Sequence, residues 1–75
     1  MNLNDLLNIL QILRKYSPHL KLDIIHEART GKQYMFFHDD FLNIETLKSY
    51  FTEEDRNELI KLGLDFENLR YILYD

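Results

Sequence analysis

Chemistry in this chain would have to come from its histidines and carboxylates. His26 and His38 stand at the ends of two apolar-rich runs, and His38 is followed directly by Asp39 and Asp40. Imidazole and carboxylate together suit a divalent metal. A catalytic metal site needs three convergent ligands, however, and neither an HExxH pair nor the spacing of a calcium-binding loop is present. The chain has no cysteine, which removes thiolate ligands and disulfides alike. Surface or hydrogen-bonded imidazoles explain the histidines more simply, and no metal or cofactor is expected.

The second acidic group, Glu53-Glu54-Asp55, follows Thr52. A threonine hydroxyl there accepts from the Asp55 amide, and acidic side chains stabilise the positive end of a helix. Helix initiation therefore accounts for these carboxylates without general acid–base work. Gly31 and Gly63 are the two glycines, so no phosphate-cradling loop, dinucleotide fingerprint or nucleophile elbow can be assembled. A chain of 75 residues also has little room for a pocket of about 300 Å³. An enzyme is not expected.

The elements that carry these residues follow from periodicity. Leu3, Leu6, Leu7, Leu10 and Leu13 recur at helical spacing, and Ile9, Ile12 and Tyr16 widen the stripe to about half the circumference. Asn2 or Asn4 can cap this helix, Asp5 suits its start and Arg14 and Lys15 its end. Ser17-Pro18 stops it, because a proline disfavours helical geometry in the residue before it. A stripe this broad also suits a homodimer or partner helix packing on residues 3–16.

Leu20–Asp39 reads as a β-hairpin, with apolar runs on either side of Ala28-Arg29-Thr30-Gly31-Lys32. Gly31 supplies the positive φ of a three-residue loop with a bulge. That register pairs Leu22 with His38, Ile24 with Phe36 and His26 with Tyr34. Leu20, Leu22, Ile24, Tyr34 and Phe36 then share one face, and Ile25, Met35 and Phe37 the other. Both faces are apolar, so helices cover both or one meets a partner; the pattern leaves open which is buried. Asp40 or Asn43 caps a short helix running to about Phe51. A second begins at Thr52 and ends at Gly63, and Asp65 can cap a last helix over 66–74. Tyr71-Ile72-Leu73-Tyr74 has strong β propensity, and a third strand is the alternative there. The expected fold class is α+β: an N-terminal helix, a β-hairpin and two or three short C-terminal helices, in one domain spanning 1–75.

Composition narrows the function. With 45% hydrophobic residues, the chain buries enough apolar surface to fold. Residues 1–38 carry five Lys/Arg against three Asp/Glu, whereas residues 39–75 carry four against ten. The C-terminal half is thus the acidic half, and it repels a phosphate backbone. No apolar run approaches the roughly 20 residues of a membrane span. No basic leader precedes the first apolar positions, which Asp5, Asn8 and Gln11 interrupt, so a cytoplasmic protein is expected.

Residues 52–74 follow the local pattern of a helix-turn-helix, with Glu67, Asn68, Arg70 and Tyr71 on the second helix. Only Arg70 among them is basic, where a recognition helix sits in a positive footprint. Nucleic-acid binding through this segment is therefore the alternative reading. The leading one is a small protein-interaction module, a stoichiometric regulator or inhibitor that docks an acidic face on a larger, basic, nucleic-acid-handling protein. The expected contact face comprises Asp39, Asp40, Glu53, Glu54, Asp55 and Glu58, with Tyr50 and Tyr71 as aromatic anchors. Abundant Asn, Ile, Lys and Tyr fit an AT-rich bacterial or phage genome, where small inhibitors are common.

Overall fold

Helical periodicity at the N-terminus and β-rich runs after Pro18 produce a mixed α+β chain in the computed structural model, which describes residues 2–74. The order is α1 (Leu3–Tyr16), β1 (Leu20–Glu27), β2 (Lys32–Asp39), α2 (Ile44–Ser49), α3 (Glu53–Lys61) and β3 (Arg70–Tyr74). The three strands form one antiparallel sheet in the order β1-β2-β3. Among the described residues, no helix is long and apolar enough to cross a membrane.

Each helix starts on the side chain its sequence offers. Asn2 Oδ1 accepts from the Asn4 and Asp5 amides, at 3.0 and 3.3 Å. Asn43 caps α2 through the Thr46 amide at 2.8 Å, and Thr52 caps α3 through the Asp55 amide at 3.1 Å. The end of α3 is equally explicit. Gly63 takes φ +102°, its amide donates to Ile60 O, and the Leu64 amide donates to Leu59 O. That pair of bonds is a Schellman motif, with Leu59 and Leu64 meeting in the core beneath it.

The hairpin register differs from expectation by one residue. Leu22 faces Phe37, Ile24 faces Met35 and Glu27 faces Lys32. The loop holds four residues, 28–31, closed by the Gly31 amide on Glu27 O at 2.9 Å, with Gly31 at φ +75°. Thr30 explains the extra residue: its hydroxyl donates to Glu27 Oε1 and accepts from the Lys32 amide. This arrangement also sets opposite charges across the first rung of the ladder.

A one-residue slip changes which side chains share a face. Leu20, Leu22 and Ile24 lie with Met35 and Phe37, whereas Ile25 lies with Tyr34 and Phe36. The core joins Met35, Phe37 and Tyr71 to Leu6, Ile9 and Leu13 of α1, to Leu47 and Leu59, and to Leu64 and Leu69. Ile25, Tyr34, Phe36 and Ile72 are outside that cluster. Among the described residues, helices cover one sheet face and leave the other bare.

The last segment is the strand rather than the helix. Asp65 does accept from the Asn68 amide, the bond that would open a helix. One turn later Leu69 enters the left-handed region, at φ +46°, with its side chain fully buried. Asp65 and Arg70 then exchange backbone bonds, and the Phe37 amide donates to Leu69 O at 2.9 Å. Burial of Leu69 and pairing of residues 70–74 with β2 outweigh a left-handed leucine, which costs about 1–3 kcal/mol. The second helix of the helix-turn-helix pattern is therefore absent.

Candidate partner-binding face

The C-terminal end of α1 gathers the acidic segments. Tyr16 donates its hydroxyl to Asp55, and its oxygen lies 3.4 Å from the Thr52 hydroxyl. The Tyr16 ring stacks on Phe51 at 4.1 Å between centroids. Next to it the Ser17 hydroxyl, wholly buried, donates to Asp39 Oδ2 at 2.5 Å. Two consecutive side chains on one helix end thus tether residues 39 and 52–55.

The eight expected contact residues separate under this geometry. Asp39 is buried: its other oxygen accepts from the Phe41 and Leu42 amides at 2.8 and 3.1 Å. The Ser17 hydroxyl, ahead of the Phe41 amide, holds its carboxyl below the usual range. Asp55 is tied to Lys15 at 2.8 Å as well as to Tyr16. Lys15 first, then Tyr16, depresses its pKa, and Asp55 in turn raises that of Lys15. Tyr71 is a core residue, 8% exposed. These three hold the fold together and present little to a partner.

Asp40, Tyr50, Glu53, Glu54 and Glu58 are exposed. Asp40 pairs with Lys21 at 2.8 Å and raises the lysine's pKa. Glu53, Glu54 and Glu58 have no cation partner among the described residues. Glu54 and Glu58 stand four apart on α3, a like-charge spacing that destabilises an isolated helix by about 0.2–0.5 kcal/mol.

Phe41 and Lys48 were not singled out by sequence reasoning, and Arg70 was read there only as the basic residue of a recognition helix. Phe41, directly after Asp40, is 75% exposed, and its ring meets His19 edge-on at 4.7 Å. Its position beside two aspartates was the available signal. Lys48 is largely buried, reaching Glu67 O at 2.9 Å and Glu45 at 3.1 Å; Glu45 leads in raising its pKa. Arg70 holds Asp65 at 2.8 Å while its guanidinium lies 4.5 Å from the Tyr34 ring centre. The Asn68 side chain, ahead of desolvation and Arg70, accounts for the lowered Asp65 pKa.

The histidines take different places. His38 Nε2 lies 3.0 Å from Asp23 Oδ2, across the strands rather than against Asp39 or Asp40. His26 is exposed on β1. Among the described residues, no three His, Asp or Glu side chains are grouped to hold a metal ion. Compared with protein-family models, curated proteins and solved structures, the chain matches none.

Proposed function

We propose that this chain is a cytoplasmic, non-enzymatic interaction module, a stoichiometric regulator or inhibitor of a larger protein with a basic, nucleic-acid-handling surface. The observation that carries this reading is the contrast among its carboxylates. Asp39, Asp55 and Asp65 are each bound internally, whereas Glu53, Glu54 and Glu58 on one short helix are exposed with no cation partner among the described residues. Such a face speeds association with a basic surface and selects against acidic ones. Phe41 and Tyr50, both exposed, supply apolar contact beside the charge, as aromatic anchors do at interfaces.

The test is a tagged pull-down from source-cell lysate after nuclease treatment, with the Glu53→Lys/Glu54→Lys/Glu58→Lys variant in parallel. A single protein retained near one-to-one by the native chain and released by the variant supports the proposal. Equal retention by both removes it. Asp55 is unsuitable for this substitution because it anchors Tyr16 and Lys15.

A further inference from the structure

β1 is an outer strand of the sheet, and seven of its eight residues are exposed. Proteins usually blunt such an edge by shortness, proline or a bulge. β1 has none of these and pairs with β2 in unbroken register over its whole length; the charged side chains of Lys21, Asp23 and Glu27 are what guards it. Leu22, Ile24 and Ile25 are exposed on it, as are Leu3 and Leu7 on the neighbouring helix. Between α1 and β1 runs a groove of about 470 Å³ whose lining includes Leu7, Leu10, Leu20 and Leu22.

The charges along β1 indicate what covers this edge. An antiparallel pair of identical strands about a two-fold axis normal to the sheet is centred on one residue. Centring on Asp23 opposes it to itself, and centring on Ile25 opposes Asp23 to Glu27 of the other copy. Both juxtapose like charges, which destabilises a sheet. Centring on Leu22 opposes Lys21 to Asp23 but confines the ladder to residues 20–24 of β1, because Pro18, which would meet His26, lies before the strand and cannot extend it. Centring on Ile24 opposes Lys21 to Glu27 at both ends, sets Leu22 beside His26 and joins the two Ile24 side chains. That register uses the strand from 21 to 27.

We infer that β1 pairs antiparallel with β1 of a second copy, centred on Ile24, to form a continuous six-stranded sheet. The two-fold axis puts both α1 helices on one side, where Leu22 and Ile24 of each copy extend the apolar groove floor. The homodimer expected through residues 3–16 becomes an edge-to-edge dimer flanked by Leu3 and Leu7. Backbone groups on the outer edge of β1 gain partners, and the bare sheet faces become continuous.

Sedimentation equilibrium on the full chain, from micromolar to millimolar concentration, tests this. A dimer is expected. Ile24→Lys, at a position 60% exposed, weakens it by at least about tenfold, a step of about 1.4 kcal/mol. Lys21→Glu and Glu27→Lys each weaken it by about fivefold, and the double exchange restores it in an Asp40→Asn/Lys32→Gln background, where each pair between copies is rebuilt with reversed sign and no like-charge pair is made within a copy. Circular dichroism confirms that each variant is folded. A monomer throughout the range overturns the inference, as does a dimer indifferent to Ile24→Lys. Failure of the double exchange to restore association overturns it too. Loss of the dimer in Leu7→Lys but not in Ile24→Lys places the interface on α1 alone and also overturns it.

Discussion

The two faces of β2 belong to one strand and have nearly equal apolar content, yet they do different work. Met35 and Phe37 point into the core with α1, and Asp39 closes that row through Ser17 and two loop amides. Tyr34, Phe36 and His38 point to the bare side, where Arg70 and Asp23 are their neighbours. Tyr34 is nevertheless only 7% exposed. Arg70 lies over its ring at 4.5 Å, and Ile25 and Ile72 oppose it on the adjoining strands, where no helix reaches. Apolar content alone does not decide which face is covered; the register decides which side chains of β1 join each face, and a short loop chooses the register.

Substitutions along this strand and its neighbours can break or sharpen that contrast. The largest effect is expected from Phe37→Ala, which empties a site 2% exposed. Such a truncation costs about 3–5 kcal/mol, against a total stability of about 4–11 kcal/mol for a chain of this length. Urea denaturation should find the variant largely unfolded or close to it. Asp39→Asn comes next, because the amide keeps the shape but loses the charge that three donors meet. Its deficit in urea midpoint should be greatest at neutral pH.

Acid sharpens the same point. Asp39, Asp55 and Asp65 all have carboxyl pKa values below the ordinary 3.8, so the folded state favours their deprotonated forms. Their contribution is fully present above the unfolded value and is lost as pH falls through the lowered ones. The native chain should lose stability in acid below about pH 4, and the gap to Asp39→Asn should narrow over that interval. A gap unchanged with pH would show that the Asp39 charge contributes nothing.

Smaller effects belong to the bare side. Arg70→Met removes the cation over Tyr34 and should lower the urea midpoint by an amount equivalent to about 0.5–2 kcal/mol. Ile25→Thr, on the same face and half exposed, should change stability by no more than about 0.5 kcal/mol. If Ile25→Thr proved as damaging as Phe37→Ala, the bare side would be covered in solution.

Much of this architecture was legible residue by residue. Asn2, Asn43, Thr52 and Gly63 are local signals, each satisfied within a few positions of the chain, and the helices they bound fall where periodicity placed them. Arg70–Tyr74 was harder. Asp65 offers the same opening bond as a helix cap, and only the distant pocket that takes Leu69 redirects the backbone. The hairpin register was lost for a smaller reason: Thr30 bonds on both sides of the loop and draws Ala28 out of the strand. In the acidic face, Glu53, Glu54 and Glu58 were readable as exposed from helical phase. The internal duties of Asp39 and Asp55 were not, because Ser17 and Tyr16 reach them across 22 and 39 positions.

The strand order also predicts how deuterium enters the sheet. β2 lies between two partners, so both rows of its backbone amides are engaged, and their exchange must await opening of the whole fold. In β1 the row of amides facing β2 is engaged while the outward row meets solvent. In a single copy, residues along that one strand should therefore alternate between slow and immediate exchange. Protection of its outward row would report that another strand had arrived.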